Sequence, residues 1–205
     1  MQLRYSITSP YARKALVVAH ESGIIDRIEI TPTMVLPTLL NERLKPENPL
    51  VKVPTLITDE GETLYDSRVV CEYLDAVGGK GLFPPAPGPA RWTALRRQSL
   101  GDGISDAAIL VRFENWLRPE ERRWELWVDG QMRKVRGGLD ALEQEAEALS
   151  ADPLTIGQIA IACAIGYFDF RYESERWRDT RPKLAAWYDA FAQRPSMLAT
   201  QHRNP

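Results

Sequence analysis

Before residue 66 apolar and polar positions alternate in short segments, whereas after residue 90 the apolar positions return every three or four residues. The first period is that of a half-buried strand, the second that of an amphipathic helix. Leu3 and Tyr5 alternate with polar neighbours and predict a strand. Ser9-Pro10 then opens a helix with Ala12, Ala15, Leu16 and Ala19 on one face, closed by Gly23. Ile28 and Ile30 predict a second strand, which a helical crossover lays parallel to the first and right-handed. Further on, Val53-Pro54-Thr55-Leu56-Ile57 and Thr63-Leu64-Tyr65 flank the turn signal Asp59-Glu60-Gly61, a hairpin pattern. A helix follows from Ser67, with Val70, Tyr73, Leu74 and Val77 at i, i+3, i+4 and i+7, and Gly78-Gly79 ends it. The order is β-α-β, then β-β-α.

The second half reads as helices throughout. One segment from Pro89 to Trp116 carries Trp92, Leu95, Leu110 and Phe113, and glycines 101 and 103 are expected to bend it. Its Arg112, Phe113 and Trp116 fall on a stripe that could line a pocket, although a stripe at helical spacing is core more often than pocket. From Trp124 through Val128, Val135, Leu139, Leu142, Ala146 and Leu149 the spacing is that of one long bundle helix, with Gly137-Gly138 as its weak point. Leu154-Thr155-Ile156-Gly157-Gln158-Ile159 has the form of a capping box: Thr155 caps, Gln158 reaches back, and Leu154 staples against Ile159. The stripe Ile156, Ile159, Ala160, Cys163, Ala164 and Tyr167 is apolar enough for a central helix. A last helix begins at Pro182 and carries Leu184, Tyr188 and Phe191, and the tail after Pro195 is expected to be loosely ordered. Between the halves, Gly78 to Pro89 is rich in glycine and proline, which disfavour regular structure. The expected division is a first domain over 1–78, a linker over 79–88 and an all-α domain over 89–205.

Composition narrows the function classes. The 205 residues are 44% hydrophobic and 26% charged with a formal charge of -2, values of an ordinary globular protein rather than a nucleic-acid binder. No run approaches the roughly 18 consecutive apolar residues of a membrane helix, and the N-terminus lacks a basic stretch followed by an apolar core. A cytoplasmic protein is expected. Cys71 and Cys163 form no Cys-x-x-Cys pair and fall inside predicted helices, as reduced packed cysteines do. The two histidines, His20 and His202, cannot build a metal site, so no metal is expected.

Four local patterns occur in order: Ser9-Pro10-Tyr11-Ala12-Arg13-Lys14, Asn48-Pro49-Leu50-Val51-Lys52-Val53-Pro54-Thr55-Leu56, Asp66-Ser67 at a helix start, and the Thr155 capping box. With them, a thioredoxin-like β-α-β-β-β-α pattern followed by a helical domain resembles the cytosolic glutathione S-transferase family over essentially the whole chain. The bacterial subset with Ser-Pro-Tyr or Ser-Pro-Phe at the first helix is the most similar. The resemblance implies an α/β thioredoxin-like domain binding glutathione, then an all-α bundle, assembled as a cytoplasmic homodimer serving detoxification. It also implies a cis Val53-Pro54 bond that faces the Val53 backbone outward, where a cysteinyl backbone can pair with its N–H and C=O. Asp66-Ser67 at a helix N-terminus suits the zwitterionic γ-glutamyl end: unpaired N–H groups and the Ser67 hydroxyl for the carboxylate, Asp66 for the ammonium. Lys52 is the candidate for the glycyl carboxylate.

Ser9 is the candidate catalytic residue. At the N-terminus of the first helix it can offer its hydroxyl to the glutathione sulfur where the helix dipole favours negative charge, with Arg13 adding positive potential. A free thiol titrates near 8.5, and each unit of depression represents about 1.4 kcal/mol of preference for the reactive thiolate. Tyr5 is the rival hydroxyl, though its place in a strand favours packing. Some classes of the family carry cysteine at the Ser9 position and transfer thiols through a mixed disulfide. Serine here favours direct attack by bound glutathione on a small apolar electrophile. A second departure is Gln158, where the family usually has aspartate. Two functions are therefore expected in rank order: a glutathione transferase, or a non-catalytic glutathione-binding or regulatory protein of the same fold.

Overall fold

The alternating start forms β1 (Gln2–Tyr5), in which Leu3 is fully buried. Ser9 caps α1 (Pro10–Glu21), whose Ala12, Ala15, Leu16 and Ala19 are all buried as the apolar face requires. The chain returns in β2 (Glu29–Pro32), parallel to β1 with Leu3 opposite Ile30. A long irregular stretch leads to β3 (Thr55–Ile57), antiparallel to β1 with Leu3 opposite Leu56. β4 (Thr63–Leu64) pairs antiparallel with β3, completing a four-stranded sheet of order β2-β1-β3-β4. Asp66 caps α2 (Ser67–Gly78), which buries Val70, Cys71 and Leu74. Gly79 ends it in the left-handed region at φ 69°, its N–H bonded to the Asp75 carbonyl at 2.7 Å. The computed structural model describes residues 1–204.

Helices alone follow: α3 (Pro89–Trp116), α4 (Glu125–Ala151), α5 (Ile156–Arg171), α6 (Pro182–Ala192) and the short α7 (Pro195–Ala199). The architecture is thus a thioredoxin-like α/β region followed by an all-α region. Two compact units result: Met1–Trp92 joined by the segment from Pro195, and Thr93–Arg194. No helix among the described residues is long and apolar enough to cross a membrane.

α5 is buried over nearly its whole circumference from Ile156 to Phe168, which makes it the central helix of its unit, with Cys163 in the core. Its capping box forms as expected, Thr155 N–H donating to Gln158 Oε1 at 3.0 Å. Gln158 Nε2 in addition donates to the carbonyls of Pro153 at 2.9 Å and Asp152 at 3.4 Å, two bonds that a carboxylate could not make.

Three expectations are corrected. α3 and α4 run unbroken through their glycines. Gly101 instead lets two backbones meet, since a Cβ there would lie 2.7 Å from the Ala160 carbonyl carbon, and one at Gly138 would lie 2.7 Å from Ile104 Cγ1. The segment from Pro195 to Thr200 is packed in place: Met197 and Thr200 are buried, and Ser196 Oγ meets Glu21 Oε1 at 2.5 Å. Arg13 accounts for much of this. It is buried, and its guanidinium donates to Met197 O at 3.1 Å and Thr200 Oγ1 at 3.4 Å, anchoring α7 on α1. Finally, Trp116 is 49% exposed and so is not a core residue of its unit.

Candidate functional site

Strand direction gathers the candidate residues of the first unit at one end of the sheet. β1 finishes where β3 begins, Arg4 lying opposite Thr55, and β4 finishes there too, with Leu64 opposite Leu56. The loop from Tyr5 to Ser9, the segment Lys52-Val53-Pro54 and the Asp66-Ser67 corner therefore leave the sheet on the same side. α1 and α2 both start at that edge, so two sets of unpaired helical N–H groups and two positive dipole ends share it. An anionic ligand is favoured there.

Ser9 sits at φ -89°, ψ 121°, the extended geometry of an N-cap, and its Oγ accepts from Ala12 N at 3.2 Å. Capping uses a lone pair of the hydroxyl and leaves its proton to donate, so the structural and chemical duties of Ser9 are compatible. The side chain is half-buried, reachable yet oriented. Tyr5 packs with Val35 and Val51 against the buried cluster of Ala12, Leu44 and Val53, consistent with a packing role. That same cluster ties Val53 to the first turn of α1.

The Val53-Pro54 bond is cis, as the family resemblance implies. No backbone hydrogen bond among the described residues engages the N–H or C=O of Val53, although the side chain is buried. Lys52 beside it is exposed. At the second corner, Asp66 is exposed and Ser67 is buried. One carboxylate oxygen of Asp66 accepts from Arg68 N at 2.9 Å as a cap, leaving the other for a second donor. The geometry therefore offers a backbone amide edge, a capped hydroxyl, a carboxylate and a lysine ammonium around one sheet end. Among the described residues no three His, Cys, Asp or Glu side chains cluster as metal ligands would.

A family model described as the glutathione S-transferase N-terminal domain matches residues 8–77, and one described as the C-terminal domain matches residues 125–190. The chain belongs to the glutathione S-transferase family. It is 32% identical over 203 residues to the uncharacterized GST-like protein YibF of Escherichia coli strain K12, covering 98% of both chains. A glutathione transferase family member from Pseudomonas fluorescens Pf-5 with bound glutathione superposes with a TM-score of 0.95. Identity is 44%, and 99% of each chain is covered. A structure from the same source with bound S-(propanoic acid)-glutathione gives a TM-score of 0.91 at 43% identity, over 100% of each chain.

Against that glutathione S-transferase background, two residues that the sequence reading passed over gain a role. Asn48 is buried, with Nδ2 donating to Thr55 Oγ1 at 2.9 Å and to Lys52 O at 3.2 Å while Oδ1 accepts from Leu50 N at 2.9 Å. Thr55 Oγ1 in turn donates to Lys52 O at 2.8 Å. Together they hold the turn that presents Lys52 and Val53. Val51, inside it, stands at φ 52°, costly for a β-branched residue, and a Val51 N–H bond to Asn48 O at 2.9 Å supports it. The signal was present in the Asn48–Leu56 pattern, but a side chain that braces a loop is not distinguishable from a turn former until its partners are seen.

Proposed function

We propose that this protein is a cytoplasmic glutathione transferase that binds reduced glutathione at this sheet end and transfers its sulfur to a small apolar electrophile. The observation that carries the reading is Ser9: an N-cap hydroxyl with a proton to donate, on a helix start beside Val53 and at the same edge as Asp66-Ser67. Val53 N–H and C=O pair with the cysteinyl backbone of glutathione, and Pro54 completes the corner. Ser67 and the first N–H groups of α2 take the γ-glutamyl carboxylate, Asp66 takes the ammonium, and Lys52 takes the glycyl carboxylate. These pairings match charge to charge at every end of the tripeptide.

Ser9 Oγ then donates to the sulfur while the α1 dipole stabilises its negative charge. The thiolate attacks the electrophile directly: a carbon–sulfur bond forms, the thiol proton passes to solvent, and a leaving group departs or the electrophile is protonated. No protein cysteine takes part, Cys71 and Cys163 both being buried. The S-substituted glutathione bound by the Pseudomonas relative supports a site that accommodates such adducts. Assembly as a homodimer, a detoxification role and membership of the bacterial Ser-Pro-Tyr/Phe subset complete the proposal.

Kinetics of Ser9→Ala against a panel of electrophiles such as chloronitrobenzenes test it. A hydrogen bond to a charged group is worth about 1.5–3 kcal/mol, so kcat/KM should fall roughly 10- to 100-fold with glutathione affinity held within a few-fold. Saturable glutathione binding without turnover of any electrophile, unchanged by the substitution, would establish instead a non-catalytic glutathione-binding module.

A further inference from the structure

The chain after Pro195 turns back along α1 and is fastened to it at three levels. At the C-terminal end of α1, Ser196 Oγ donates to Glu21 Oε1 at 2.5 Å. In the first turn of the helix, the Arg13 guanidinium donates to Met197 O at 3.1 Å and to Thr200 Oγ1 at 3.4 Å. Thr200 Oγ1 also donates to Ser196 O at 2.8 Å, which ties the segment to itself. Ahead of the helix, the His202 ring meets Ile7 O through Nδ1 at 2.9 Å. Residue numbers fall along α1 as they rise along the tail, so the segment runs antiparallel to the helix and reaches the turn before Ser9. All of it lies within the first unit.

That turn is short and has few other anchors. β1 ends at Tyr5 and Ser9 caps α1, so Ser6, Ile7 and Thr8 alone join two fixed elements, and all three are half-buried rather than core. Ser9 N–H donates to Ser6 O at 3.0 Å to close the turn, and the Ser6 and Thr8 hydroxyls meet at 3.3 Å. Both contacts are internal: they shape the turn without fixing it against the rest of the fold. No backbone N–H among the described residues bonds the Ile7 carbonyl. A carbonyl only accepts, so His202 Nδ1 carries the hydrogen and donates. The turn in this way gains an anchor outside itself. Ser9 needs one, because its cap bond of 3.2 Å is at the long end of the N–H···O range and by itself holds the hydroxyl loosely. The direction of the Ser9 side chain follows from the peptide that enters it from Thr8, and therefore from the turn.

We propose that His202 is a positioning residue for Ser9: by holding the Ile7 carbonyl it fixes the turn whose last peptide aims the Ser9 hydroxyl. The inference rests on the reading of Ser9 as hydrogen-bond donor to the glutathione sulfur. His202 acts through the turn and not on the sulfur, which makes the C-terminal tail part of the machinery that sets the thiolate.

Full-length His202→Ala and His202→Asn proteins test it, the second because an asparagine Nδ2 can replace a histidine Nδ1 as donor. Hydrogen exchange at the Ser9 amide, recorded without glutathione, reports the turn itself, and ultraviolet titration of bound glutathione reports the sulfur. In His202→Ala, loss of one neutral hydrogen bond should speed Ser9 exchange and lower the thiolate-to-thiol ratio by about 3- to 10-fold each. The latter is a rise of about 0.5–1 unit in the bound thiol pKa, with glutathione affinity held within about twofold. His202→Asn should restore both readouts, and the exposed Gln201→Ala should change neither. In a Ser9→Ala background, His202→Ala should shift the thiol no further. An unchanged Ser9 exchange rate in His202→Ala would overturn the proposal, as would faster exchange with an unshifted thiol where Ser9→Ala does shift it. An unshifted thiol in Ser9→Ala itself would instead overturn the reading of Ser9, and the proposal with it.

Discussion

At the scale of single residues, the candidate site depends on side chains that do two things at once. Ser9 closes α1 through the Ala12 N–H and retains a hydroxyl proton to donate, so simple truncation removes both. A substitution that separates them is Ser9→Asp. Aspartate caps as well as serine, but it sets a negative charge against a thiolate. The expected outcome is an unfolding midpoint close to that of the parent, with the thiol of bound glutathione titrating above its value in the parent protein. An unchanged unfolding midpoint with an unshifted thiol would assign Ser9 to capping alone. Asn48 is a similar case, its amide spending every polar contact on the Lys52 turn. The local settings of Val53 and Pro54 at a cis bond and of Asp66 and Ser67 at a helix start were legible in the sequence through ordered local patterns. Those of Asn48 and Thr55 were not, because they act through partners that a linear reading does not display.

At the scale of elements, every strand and the six longer helices follow from hydrophobic period and termini. α7 does not: five residues are too few to show a helical period, and what orders it is tertiary, the Arg13 bonds and the burial of Met197. Glycine is read from sequence as freedom, whereas Gly101 serves as absence of bulk against the Ala160 backbone. The α5 cap was legible in outline, but the choice of glutamine was not. Its Oε1 completes the box while its Nε2 serves the carbonyls of Asp152 and Pro153. Gln158→Glu would keep the acceptor, lose both donors and press a carboxylate on two carbonyl oxygens. Thermal or urea unfolding is expected to show a loss of about 1–3 kcal/mol. An unchanged midpoint would mean that the amide contributes nothing beyond the box.

At the scale of the whole molecule, each unit has its own core, and the balance of charge sets how stability responds to acid. Glu145 illustrates the direction. Its hydrogen bond to Arg96, followed by that to Arg97, holds its pKa below the ordinary carboxylate value despite burial. Asp59, Glu114 and Glu147 are lowered likewise by hydrogen bonds from the N-terminal ammonium, Arg118 and Lys183. A carboxylate whose folded pKa is depressed contributes stability that is complete above its unfolded value, near 4, and is lost as pH falls through the folded one. The unfolding midpoint should therefore be flat from neutrality to about pH 5 and decline below it. Glu145→Gln should remove about 1–2 kcal/mol at neutral pH, leaving Arg97 to Asp152 alone, and should make the acid decline shallower. A parallel acid limb in the variant would contradict that assignment.

The central claim is that Ser9 and the α1 N-terminus activate the sulfur of bound glutathione. It is tested most directly by recording thiolate ultraviolet absorbance across pH with the protein saturated in reduced glutathione. The account predicts a bound thiol titrating at least one unit below the free value of about 8.5, with Ser9→Ala returning it toward that value. Saturable binding with an unshifted thiol would contradict activation and leave a glutathione-binding module without transferase chemistry.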